Sequence, residues 1–231
     1  MLTYGAYRLQ PRKASLLASV VPSAAQAWPK KVVFIRHGEK PPRAEDDGAL
    51  SAAGRTHAQD WAEFFTTARK RKYDPVGPLV GADVALFAMK QTSGARSSGQ
   101  AYSNRPFQTI SPLADKLGVA ISADYTVDQV AEVAASVAQC GASKVALVCW
   151  EHKAIPHIVN EMFISLGSRR SWTRGSPQAL FWDRSFKGSD NSIDYDTVWV
   201  LDPQKRTLTA HTGCHVGDAS AEQKIFASLA L

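Results

Sequence analysis

Two histidines in this chain stand where apolar runs stop. Val32-Val33-Phe34-Ile35 leads into Arg36-His37-Gly38-Glu39, and Ala146-Leu147-Val148-Cys149-Trp150 leads into Glu151-His152-Lys153. A neutral imidazole is a nucleophile or a metal ligand, and a guanidinium is a rigid fork for oxyanions. Arg36 sits directly beside His37, with no carboxylate or thiolate at metal-ligand spacing. That disfavours a zinc site. It favours phosphoryl chemistry, in which imidazole attacks phosphorus and cations hold the equatorial oxygens. Gly38 lets the backbone turn sharply and a ligand approach.

These groups need elements to hold them. The runs Val32–Ile35 and Ala146–Trp150 are continuously apolar, the mark of strands buried on both faces. Segments 82–88 (ADVALFA) and 196–202 (DTVWVLD) read as further strands. Between them lie helical patterns. The stretch 50–72 is expected to be a helix capped by Ser51, with Ala58, Trp61, Phe65 and Ala68 inward and the basic run 69–72 at its C-terminus. Pro112 is expected to open a short helix closed by Gly118, Thr126 to cap a helix ending at Gly141, and Ile155–Leu166 to form a helix closed by Gly167. Residues 90–106 read as a turn-rich loop leading into a short helix, and 168–193 as irregular and aromatic-rich. Strands alternating with helices predict an α/β three-layer sandwich with a mainly parallel central sheet. Ligands of such sheets bind beyond the carboxyl ends of the strands, where both histidines fall if their strands are neighbours.

The segment Phe34-Ile35-Arg36-His37-Gly38-Glu39-Lys40 resembles the signature of the histidine phosphatase, or phosphoglycerate mutase-like, superfamily. Three further segments follow in the family's order. Residues 50–59 (LSAAGRTHAQ) are similar to its Leu-Ser/Thr-x-x-Gly-x-x-x-Ala helix start. Residues 103–118 (SNRPFQTISPLADKLG) resemble the stretch carrying its second phosphate-pocket arginine, and 146–159 the strand bearing its second histidine. The resemblance implies a phosphoglycerate mutase-like fold and a phosphatase acting on phosphomonoesters through a phosphohistidine at His37. Arg36 and Arg105 would bind phosphoryl oxygens, and His152 would complete the pocket. It implies no cofactor and no metal.

Members also use an acid to protonate the leaving oxygen. Position 153 is Lys, so the histidine–aspartate pair of the larger, acid-phosphatase-like branch is absent, and the smaller branch fits better. There the acid follows the second arginine, which points to Asp124 and Asp128; Glu39 and Glu151 flank the histidines and are the other candidates. Asp128 equally suits the first turn of its helix. A phosphomutase of the same family and a non-catalytic phosphate-binding module are the alternative readings.

Other polar groups have plainer roles. Lys40 and Arg43 lie in a loop-like stretch, and His57 and His157 fall within helices as packing or surface residues. His211, Cys214 and His215 are close together but lack a fourth metal ligand. Trp150, Trp172, Trp182 and Trp199 read as core or pocket wall, and Cys140 and Cys149 as packing residues.

Length and composition set the bounds. With 231 residues, 45% of them hydrophobic, one sizeable core is expected. Three widely separated cysteines give no disulfide framework, and no apolar stretch is long enough to span a membrane. A formal charge of +6 favours anionic partners. The basic residues are scattered, which speaks against nucleic acid; a small phosphorylated substrate is what the family resemblance implies. Residues 1–30 read as a leader ahead of a single catalytic domain at 31–231. Arg8, Arg12 and Lys13, a short apolar stretch and Ala25-Gln26-Ala27 resemble a secretory signal removed with residues 1–27, so export to the periplasm is expected, with a cytoplasmic protein as the alternative. The oligomeric state is not encoded in any of these features.

Overall fold

The computed structural model describes residues 28–68, 76–91, 103–168, 194–212, 214 and 224–230. Residues 1–27 of the expected leader, the basic run 69–72, Trp172, Trp182 and His215 lie outside them. The predicted strands form: β1 (Lys31–Arg36), β2 (Val84–Ala88), β4 (Val145–Trp150) and β5 (Val198–Asp202). Between and beyond them run β3 (Ile121–Ser122), β6 (Thr207–Thr212) and β7 (Lys224–Ala230). The helices are α1 (Ala52–Thr66), α2 (Arg105–Leu117), α3 (Val130–Ala138) and α4 (Ile155–Ser165).

The seven described strands form one sheet in the order β3-β2-β4-β1-β5-β6-β7. β3, β2, β4 and β1 pair in parallel; β5, β6 and β7 add an antiparallel flank. Two antiparallel steps restore direction, so β6 runs with the parallel set and only β5 and β7 oppose it. The sheet is therefore mainly parallel. α1 and α2 cover one face, burying Trp61, Phe65, Ile110 and Leu113 against Val33 and Ile35. α3 and α4 cover the other, with Val133, Ile158 and Met162 against Val32 and Phe34. The result is the expected three-layer sandwich.

Several boundaries differ from the sequence reading. Ser51 caps α1 as expected, its hydroxyl accepting from Gly54 N–H at 3.0 Å. The helix stops at Thr66, because Thr67 takes extended dihedrals, and the basic run expected at its C-terminus lies outside the described residues. Pro112 is inside α2 rather than at its start. The helix begins a full two turns earlier because Pro106, in the first turn, is pre-set for helical φ, and Pro112 removes one hydrogen bond without stopping it. Thr126 does not cap α3 directly. The Gln129 side chain accepts from Thr126 N–H at 2.9 Å, a turn intervenes, and helix begins at Val130.

Candidate active site

β1 and β4 are paired in register, Arg36 opposite Trp150. His37 N–H continues the ladder to Trp150 O at 3.3 Å. The two strands therefore release His37 and the Glu151-His152 pair at the same carboxyl edge. This is the meeting that the two strand ends implied.

Helix α1 shapes the loop that carries His37. Ser51 N–H donates to Glu39 O at 2.9 Å. A Cβ on Gly54 would fall 2.4 Å from Glu39 O, so only glycine lets the loop lie this close to the helix. Helix α2 grips the same loop from the other side. Thr109, fully buried, accepts from Gly38 N–H at 2.8 Å and donates to Arg105 O at 2.7 Å. Gln108 next to it accepts from Leu50 N–H at 2.8 Å. The Gln-Thr pair after Arg105 thus ties α2 to both ends of the loop.

His37 is buried, and its Nδ1 lies 2.8 Å from Gly38 O. A carbonyl only accepts, so Nδ1 carries the proton and Nε2 keeps its lone pair. Burial drives the His37 pKa down to about 4, against the Gly38 hydrogen bond, and the charges of Arg36 and Arg105 push it the same way. At neutral pH the ring is an uncharged base with Nε2 unprotonated, within the field of the Arg36 and Arg105 charges.

Both arginines are buried and fixed. Arg36 has its Cζ 4.4 Å from the centre of the Tyr195 ring. Arg105 donates from Nε to Ala49 O at 2.9 Å and from Nη2 to Asp46. The Arg105 guanidinium and Gly48 N–H hold the Asp46 carboxyl below the usual range, although burial works against them. Sequence reasoning passed over Asp46 because its stretch reads as a solvated loop.

His152 Nδ1 pairs with Glu151 Oε1 at 3.0 Å, and Glu151 Oε2 accepts Lys153 N–H at 2.9 Å. Burial opposes ionisation of Glu151, yet the contact with His152 and the Lys153 N–H keep its pKa low. Glu39 is also held ionised: burial opposes the charge, and a hydrogen bond from His57 Nδ1 at 3.0 Å outweighs it. His57 is therefore more than a packing or surface residue. Its Nε2 lies 3.0 Å from Asp196 Oδ1. Burial would lower its pKa, but the two carboxylates raise it to about 9. Helical spacing marked the position, but its partners come from elsewhere in the chain.

No protein-family model matches the chain. No curated protein matches it. Solved structures similar to it include a candidate phosphohistidine phosphatase SixA from Agrobacterium tumefaciens, 13% identical over 88% of this chain and 98% of that one, with a TM-score of 0.39. A structure described as mycobacterial hydrolase 1 is 15% identical over 86% and 97%, with a TM-score of 0.37. The product of an open reading frame of Mycobacterium tuberculosis is 11% identical over 85% and 95%, also with a TM-score of 0.37.

The remaining candidates lie farther out. Asp124 is exposed and accepts from the Ser122 hydroxyl at 2.7 Å. It follows β3, which is three strand spacings from β1, about 14 Å across the sheet. Asp128 is exposed in the turn before α3. Trp150 and Trp199 are core residues, and Cys149 is fully buried. His211 is buried on β6, and Cys214 Sγ lies 3.7 Å from its carbonyl. Among the described residues no group of three His, Cys, Asp or Glu side chains is placed to hold a metal ion, and no helix is long and apolar enough to cross a membrane.

Proposed function

We propose that this chain is a phosphatase that hydrolyses phosphomonoesters through a phosphohistidine on His37, without a metal ion. One observation carries the reading: a buried histidine with Nδ1 committed to Gly38 O, which leaves Nε2 its lone pair, under the charges of Arg36 and Arg105. Nε2 attacks phosphorus and forms the P–N bond as the ester P–O bond breaks. The leaving oxygen takes a proton from solvent water, and the alcohol departs. Water then attacks phosphorus and returns a proton to solvent, the P–N bond breaks, and Nε2 regains its lone pair as inorganic phosphate forms. Arg36, Arg105 and His152 supply the positive charge and donors that the equatorial oxygens require, which is the part a metal would otherwise play.

The test compares wild-type and His37→Ala protein on a panel of phosphomonoesters, with acid-labile phosphoprotein measured alongside. Phosphate release and trapped phosphoprotein in the wild type alone support the phosphatase. Transfer between substrate positions without net release assigns a mutase instead. Phosphate binding with neither turnover nor phosphoprotein reduces the site to a binding module.

A further inference from the structure

We infer that the turn at residues 194–197 is a clip that orients Arg36 for phosphate, set by His57 and applied through Tyr195. The role assigned to Arg36 rests on the function proposed above; the clip itself rests on independent contacts.

The turn is wound on itself by Asp194. Its Oδ1 accepts from Asp196 N–H at 2.7 Å, and its Oδ2 from the Thr197 hydroxyl at 2.8 Å. This local ring presents Tyr195 and Asp196 together. Asp196 meets His57 on α1 at 3.0 Å, and His57 meets Glu39 at 3.0 Å through its other nitrogen. An imidazolium hydrogen-bonded to Glu39 and in ion-pair contact with Asp196 ties three segments together: helix α1, the His37 loop and the turn.

Tyr195 then closes on the start of the loop. Its ring covers Arg36 at 4.4 Å. It also lies edge-on to His57, ring centroids 6.3 Å apart. A guanidinium carries its N–H donors in its plane, and a ring over one face leaves those donors for ligands in the plane. The stacked tyrosine thus turns a flexible arginine into a fixed fork. Neither Tyr195 nor Asp196 belongs to the segments whose sequence marks the site; they lie far from β1 in sequence but come beside it because β5, which follows them, pairs with β1, Val198 opposite Ile35.

The experiment records the Arg36 Nε–Hε NMR signal, assigned by its loss in Arg36→Lys, and titrates inorganic phosphate into wild type, Tyr195→Leu, Tyr195→Phe, His57→Gln and Asp196→Asn. In Tyr195→Leu and His57→Gln the ring-current shift of Arg36 should collapse, and phosphate binding should weaken about 5- to 30-fold, about 1–2 kcal/mol. Tyr195→Phe keeps the ring and should keep the shift. Asp196→Asn covers the case in which His57→Gln does not fold, and should show the same change in smaller degree. An unchanged Arg36 signal and unchanged phosphate affinity in Tyr195→Leu and Asp196→Asn would overturn the clip and leave the phosphatase reading standing. A wild type that binds no phosphate would overturn both.

Discussion

Gly54 lies directly beneath Glu39: a Cβ on the glycine would stand 2.4 Å from the Glu39 carbonyl oxygen and 2.9 Å from its amide nitrogen. Helix α1 and the His37 loop touch through backbone alone at this point. The helical glycine costs about 1 kcal/mol of propensity, and close approach is the compensating reason for it. Gly54→Ala should destabilise the fold by about 1–3 kcal/mol, since the atoms it meets are backbone and cannot rotate away. Because the loop must move, activity should fall more than stability alone explains. Chemical denaturation together with kcat measured well below the unfolding transition separates the two effects.

Arg105 holds its place by a fork that lysine cannot copy. One nitrogen reaches Ala49 O and another reaches Asp46. Arg105→Lys keeps the charge but loses the two-point orientation. If Arg105 binds the phosphoryl oxygens, kcat/KM should drop about 10- to 100-fold, the loss of one charged hydrogen bond of about 1.5–3 kcal/mol. Steady-state kinetics on a single phosphomonoester decides it, with a circular dichroism spectrum as the check on folding.

Much of this site was legible from strand ends. Apolar runs predict the strands, and the residues just past them predict where chemistry gathers, so Arg36, His37, Glu151 and His152 meet at one edge. Thr109 and Gln108 were visible as a pair, though their bonds to Gly38 and Leu50 were not. What stayed hidden depends on contacts between distant segments. His57 looks like any helical polar residue until Asp196, distant in sequence, is brought beside it by the pairing of β5 with β1. Asp46 looks like a solvated loop acid until Arg105 folds onto it. The strands β6 and β7 were missed for a different reason. Thr207-Leu208-Thr209-Ala210 alternates with small and half-polar side chains, which gives a weak period-2 signal, and pairing with β5 supplies the rest.

The ionised carboxylates at the site predict a marked leaving-group dependence. Glu39 is paired with His57, Glu151 with His152, and Asp46 with Arg105, and each carboxyl sits below its ordinary pKa. Among the described residues none of these acids is protonated at neutral pH to assist departure. Esters of acidic alcohols should then be hydrolysed far faster than alkyl esters. A series of aryl and alkyl phosphates at pH 7 should give log kcat/KM falling steeply with leaving-group pKa. A flat series would instead show that a carboxylic acid donates its proton in the transition state.

Stability should peak near pH 6.5 because the buried histidines titrate in opposite directions. His37 and His211 are both lowered to about 4 by burial. Between pH 6.5 and 4 the unfolded chain binds more protons at these sites than the folded one, so stability falls as the pH drops through that window. His57, raised to about 9, has the opposite sign. Between pH 6.5 and 9 the folded chain holds the extra proton, so stability falls as the pH rises. Urea midpoints at pH 4.5, 6.5 and 9 should therefore form a dome. His211→Leu should flatten its acid limb and His57→Gln its alkaline limb, each leaving the other limb in place. An alkaline limb that persists in His57→Gln would show that the proton lost there does not sit between Glu39 and Asp196.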